Sequence, residues 1–144
     1  MRVFHYPARL KKSAEGGFDV TFRDFSEAFT CGDDRASALA EAADCLAEAV
    51  AGRIADQQDI PSPSATKRGE VLVAVPAPIA AKAALILAIR ECGLSVAAFA
   101  RKYKLQETVV RRMLDPKHQT PLARIEAMLE RLGKRIVIQV EDAA

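Results

Sequence analysis

The sequence predicts an α+β protein: an N-terminal β-β-β-α-β unit, then an all-α helix-turn-helix unit with a C-terminal strand. Three observations carry this. Short runs of alternating apolar and polar residues, separated by turn signals, occupy the first stretch of the chain. One long segment after Asp34 has apolar residues at helical spacing. The stretch Leu94 to Gln119 (LSVAAFARKYKLQETVVRRMLDPKHQ) has the apolar lattice of two short helices joined by a turn. The stiff, short Pro76-Ala77-Pro78 divides the chain into units 1–76 and 77–144.

The first unit reads in order. Arg2 to Lys12 is a strand with Phe4, Tyr6 and Ala8 on one face and Val3, His5 and Pro7 on the other. Pro7 lacks a ladder donor, which predicts an edge strand, a bulge, or pairing through the strand's other side. Gly16-Gly17 turns the chain into Phe18 to Phe22, whose Phe18, Val20 and Phe22 alternate with Asp19 and Thr21. Asp24 to Glu27 is a turn and Ala28 to Cys31 a third short strand. Asp34 caps a helix with the stripe Leu39, Ala42 or Ala43, Leu46, Val50 and Ile54. Ser37 stands where a capping-box Glu would be, so the cap should be weaker. After a Pro/Ser-rich loop through Gly69, Glu70 to Val75 is a mostly apolar fourth strand. Third strand, helix and fourth strand should make a right-handed crossover.

The second unit opens with a helix from Ile79 to Cys92, ended by Gly93. Ser95 caps the next. Phe99, Ala100, Tyr103, Leu105, Val110 and Met113 are spaced to meet between two helices. Lys104 stands where this turn often has Gly, so it must take φ > 0 or the turn must differ. The second helix runs from about Gln106 to Leu114 and stops at Asp115-Pro116. Its Gln106, Glu107, Thr108, Arg111 and Arg112 point outward. Gln and Arg make paired hydrogen bonds to base edges, and the start of a recognition helix is where such residues belong. With Ser95, Lys117 and His118, they are the candidate DNA-contact set. Thr120 caps a last helix with Pro121 at its first position, closed by Gly133.

The final run, Lys134 to Val140, alternates like a strand without a partner in its own chain. Pairing with the same strand of a second copy would satisfy it, so Ile136, Val137, Ile138 and Val140 are the candidate homodimer contacts. The alternative is packing on the first unit's sheet edge.

Charge separates the two units. The 144-residue chain has net charge +2, but Leu94 to Thr120 has six cations against two anions. Such a local basic patch is the footprint of phosphate contact. Three cysteines without close spacing argue against a disulfide framework or zinc site, and for a reducing, cytoplasmic location. No secretory leader is read after Met1, and no apolar run reaches membrane-spanning length: Ile79 to Ile89 is short and broken by Lys82. Asp19, Asp24, Asp33 and Asp34 invite a two-metal nuclease reading. Caps, turns and a strand's solvent face explain them instead, so no catalytic residue, metal or cofactor is expected.

The first unit holds Gly16-Gly17-Phe18, Asp24, Phe29-Thr30-Cys31-Gly32-Asp33, Ile60-Pro61-Ser62-Pro63, Gly69-Glu70 and Val73-Ala74-Val75-Pro76. The tail holds Leu94-Ser95, Ala100, Arg112 to His118 and Leu132-Gly133-Lys134. In this order and spacing the motifs together resemble the HicB-type antitoxins, in the branch with a helix-turn-helix tail. Arg23 and Ser26-Glu27 depart from the Pro and Pro-Gly that the family often has. The resemblance implies a partial RNase H-like first unit without nuclease activity. That unit would cover the catalytic histidine of a small basic RNA-cleaving toxin (HicA-type), and the second would bind the operon's own operator. The first unit is mildly acidic, which suits a basic partner. Asp19, Phe22, Asp24, Phe25 and Glu27 are its candidate toxin contacts. A competing reading is a helix-turn-helix repressor whose first unit binds a small ligand, which would need an apolar cavity with convergent polar groups.

Overall fold

The computed structural model describes residues 1–142. Strands β1 (His5–Lys12), β2 (Phe18–Phe22), β3 (Phe29–Gly32) and β4 (Glu70–Ala74) form one antiparallel sheet in the order β3-β2-β1-β4. Helix α1 (Arg35–Ala55) lies on one face. The register puts Tyr6 opposite Val73, Ala8 opposite Phe22 and Leu10 opposite Val20. These residues look toward Ala38, Ala42, Leu46, Val50 and Ile54, the buried stripe of α1.

β1 is an inner strand, and of the three arrangements that Pro7 allows the structure takes pairing through the strand's other side at that position. The Val75 amide donates to the Phe4 carbonyl at 2.8 Å, so Phe4, Tyr6 and Ala8 direct their backbone groups toward β4. Pro7 directs its nitrogen to the other side, one residue beyond the last β1–β2 pair, Ala8–Phe22. The missing donor therefore falls just past the end of a ladder. The expected right-handed crossover is also corrected. β3 and β4 are antiparallel and lie at opposite edges, so the handedness rule for parallel strands does not apply.

The α1 cap is more complete than expected. The Ser37 amide donates to Asp34 Oδ1 at 2.7 Å and the Asp34 amide donates to Ser37 Oγ at 3.1 Å, so serine closes the box in place of Glu. Two glycines make this corner possible. Gly17, at φ +76°, lies where a Cβ would strike the Gly32 carbonyl, and a Cβ on Gly32 would strike the Ala38 backbone.

The loop from Asp56 to Gly69 is held by side chains. Tyr6 donates to the Pro61 carbonyl at 2.7 Å, Arg53 to Asp59 O at 3.0 Å and Arg23 to Ala65 O at 2.8 Å. Asp24 accepts from the Ser64 amide at 2.9 Å and from its hydroxyl. These bonds occupy backbone groups that no ladder serves.

Helices α2 (Ala77–Glu91), α3 (Val96–Lys102), α4 (Glu107–Leu114) and α5 (Leu122–Arg131) follow. α2 starts two residues earlier than expected: Pro76 is its cap and Pro78 lies in its first turn, where a missing N–H is harmless. α2 packs against α1, α4 and α5, and one apolar cluster runs from the sheet to α5. The cap of α5 is Pro121 rather than Thr120. The Thr120 hydroxyl is engaged elsewhere, as described below. No single helix is long and apolar enough to cross a membrane.

Lys134 to Asp142 forms no strand. Among the described residues it forms no ladder with the sheet edge or any other strand, although Lys134 ion-pairs with Glu91 at 2.8 Å and Ile136 packs against the core.

Candidate nucleic-acid and partner interfaces

The α3–α4 pair is built as its lattice predicts. Ser95 Oγ accepts from the Ala98 amide at 3.1 Å and starts α3. Phe99, Ala100, Val110 and Met113 are buried between the helices, and the Phe99 and Tyr103 rings lie 4.8 Å apart. The Leu105 amide closes the turn on the Ala100 carbonyl at 2.8 Å. Lys104 takes φ +55°, so a residue with a Cβ adopts the left-handed conformation and the turn keeps its shape.

α4 turns Gln106, Glu107, Thr108, Arg111 and Arg112 to solvent, all on the face away from Val110 and Met113. Arg111 donates through Nη2 and Nε to Glu107 Oε1 at 2.6 and 2.8 Å. Arg112 has no ion pair among the described residues. Glu107 sits in the first turn of α4 and the two arginines in its last, each complementing the helix dipole. Lys117 is exposed, its amide held by Asp115 Oδ1 at 2.9 Å. His118 is half-buried, with Nδ1 at 3.1 Å from Thr120 Oγ1, so its ring is less available than its place in the contact set implies.

The first unit gives a different result. Phe22 and Phe25 are 3% and 0% exposed and belong to the core, so they are not surface contacts as expected. Phe25 meets Tyr6 edge-on, with centroids 4.8 Å apart, and Arg53 stacks 4.6 Å from its ring centre. Burial, then Asp24, push the Tyr6 hydroxyl up to about 12. Asp24 is spent on Ser64. Glu27 is ion-paired to Arg53 at 2.6 Å, and that bond pulls its carboxyl below the usual range. Only Asp19, opposite Lys11 and Cys31, looks off the free face of the sheet.

That free face carries the row Phe29, Thr21, Arg9, Glu70, and beside it Leu72 and Ala74. Phe29 and Leu72 are 61% and 55% exposed. Neither was legible in the sequence, because a short or mostly apolar strand has no clear alternation to assign its faces. The acidic groups lie elsewhere: Glu41, Asp44 and Glu48 follow one exposed side of α1. Arg23 spans the sheet to Glu70 through Nε and Nη2 at 2.8 and 2.9 Å. Among the described residues no three His, Cys, Asp or Glu side chains come together in a group that could hold a metal ion.

One residue that the sequence reading passed over is Lys82. It interrupts the most apolar helix and is a charged residue with only 3% exposure. The signal was present, but it was used only against a membrane span.

The comparisons agree with the motifs. A family model for the HicB-like antitoxin of bacterial toxin–antitoxin systems matches residues 5–84, from β1 into α2. Antitoxin HicB 2 of Photorhabdus laumondii is 37% identical over 131 residues, covering 91% of this chain and 92% of that one. Antitoxin HicB of Pseudomonas fluorescens is 31% identical over 142 residues, covering 98% and 97%. Antitoxin HicB of Escherichia coli K12 is 29% identical over 131 residues, covering 91% and 95%. The curated similarities therefore run past the family match and through the helix-turn-helix.

Proposed function

The chain belongs to the HicB-like antitoxins of bacterial toxin–antitoxin systems, and on that premise we propose a protein with two binding activities and no catalysis. Residues 1–76 bind and inhibit a small basic RNA-cleaving toxin of the HicA type. Residues 77–144 bind operator DNA and repress the protein's own operon in the cytoplasm. The observation that carries the DNA half is the α4 face. Its Gln106, Thr108, Arg111 and Arg112 are exposed on a helix whose other side is locked into a packed core. Ser95, Glu107, Lys117 and His118 complete the DNA-contact proposal.

On the toxin side, Asp19 keeps its proposed role, while Asp24 and Glu27 are already engaged by Ser64 and Arg53. Phe22 and Phe25 support the sheet from below. The exposed Phe29 and Leu72 favour the free sheet face as the docking surface. Val137, Ile138 and Val140 are 73%, 72% and 90% exposed, which supports pairing of the C-terminal runs in a homodimer, with Ile136 at its margin.

The ligand-sensor alternative has less support. A groove of about 540 Å³ lies between the end of α1, α2 and α4, outside the space between α1 and the sheet. The deciding experiment is co-expression with the short reading frame beside this gene. We expect the neighbour to arrest growth alone, and both the full chain and residues 1–76 to restore growth and co-purify with it. A harmless, non-binding neighbour would overturn the toxin half and return attention to a ligand.

A further inference from the structure

We propose that Lys82 is the positioning residue of the DNA-binding surface: it holds the loop after the recognition helix in the conformation that presents Lys117 to the phosphate backbone. This rests on the DNA-binding reading above.

The argument starts from valence. An ammonium has three N–H donors and no acceptor. Lys82 Nζ donates to the carbonyls of Asp115 and His118 and, at 3.4 Å, to Thr120 Oγ1. All three acceptors belong to one loop, 33 to 38 residues away in the chain. Asp115 is the C-cap of α4, so the cation also sits at the negative end of the recognition helix. Both carbonyls are turned inward onto the ammonium. The residues between them must then run along the outside, and Lys117 is exposed there.

The loop's own bonds are arranged around the same point. The His118 amide donates to Asp115 O at 3.1 Å, the Lys117 amide to Asp115 Oδ1 at 2.9 Å, and His118 Nδ1 meets Thr120 Oγ1 at 3.1 Å. No carboxylate oxygen bonds Lys82, because Asp115 spends its side chain on Lys117's amide. A fully buried cation without a bonded anion is unfavourable unless backbone dipoles satisfy it. Burial accordingly lowers the Lys82 pKa, with Asp115 opposing the shift. A methionine of similar length would fill this buried position without a charge to satisfy. Packing alone therefore gives no reason for lysine here, whereas shaping the loop does.

The test compares Lys82→Met with the unaltered full chain. A duplex bearing the sequence immediately upstream of this gene is titrated over a range of salt concentrations. We expect K82M to keep its helical circular dichroism and to bind roughly ten-fold more weakly, with the slope of log affinity against log salt lower by about one. Simple loss of folded protein would reduce binding alike at all salt concentrations and leave the slope unchanged. Unchanged affinity, or a loss with an unchanged slope, overturns the inference while the DNA-binding reading stands. If K82M does not fold, Lys82→Gln, which keeps two donors, is held to the same criterion. If the unaltered chain does not bind the duplex, the DNA-binding reading fails and this inference with it.

Discussion

Glu70 shows how one residue ties distant segments together. Its side chain is 1% exposed, and its oxygens take two bonds from Arg23 and one from the Lys67 amide at 2.7 Å. Arg23, then Lys67, hold its carboxyl down at about 2. A depressed folded-state pKa stabilises the fold above the unfolded value and loses that effect as pH falls through the folded one. The Glu70 contribution should therefore be complete above about pH 4.5 and vanish toward pH 2. In urea unfolding across that window, Glu70→Gln should lose stability relative to the parent at neutral pH and converge with it in acid. A constant difference would remove the ion pair as the cause. Arg23 also donates to the Ala65 carbonyl at 2.8 Å, so the same guanidinium ties β4 to the preceding loop. The acidic candidates behaved alike in one respect. Asp24, Glu27 and Asp34 each have a specific partner; the capping-box spacing names Ser37 for Asp34, but Ser64 and Arg53 lie 40 and 26 residues from Asp24 and Glu27 and no spacing rule could have named them.

At the scale of elements, α4 is the most legible and the most testable. Its two faces separate cleanly because buried residues recur at Val110, Met113 and Leu114 while both arginines fall outside. If Arg111 and Arg112 touch bases, changing each to Ala should weaken operator binding by about 1–3 kcal/mol and relax sequence preference. Operator affinity equal to the parent in both variants would show that the recognition face is wrongly assigned. Arg111 must leave Glu107 to reach a base. That exposed i,i+4 pair is worth only about 0.3–0.5 kcal/mol, too little to prevent the exchange. α1 was equally legible in its stripe, with Ala38 taking the place of Leu39 at its start. Boundaries moved by one or two residues where proline sits beside the cap, at Pro76 and Pro121.

For the whole molecule, charge and the terminal run decide the predictions. The basic stretch around α3 and α4 and the acidic side of α1 lie on different elements, which allows one chain to meet DNA and a cationic protein. The exposed Val137, Ile138 and Val140 are the part least satisfied within one chain. A chain ending at Gly133 should sediment as a monomer where the full chain sediments as a dimer, and it should bind operator half-sites more weakly. If the shortened chain remains dimeric, the interface lies elsewhere.

Apart from the C-terminal run, the sequence by itself determined which segments become strands and helices, where the turns fall, and which side of α4 is polar. Periodicity, caps and turn residues act over a few positions, so they can be read without knowing what lies across the fold. Only the tertiary structure decided that β1 is central, that Phe25 points inward from a turn, and that Lys82 is buried beneath the recognition loop. A turn residue has no period to orient it, and a strand's place in a sheet depends on partners far along the chain. Lys82 differs from a surface lysine only because Asp115, His118 and Thr120 fold over it. The C-terminal run marks the same boundary from the other side: its alternation is local, but a ladder needs a second strand to complete it.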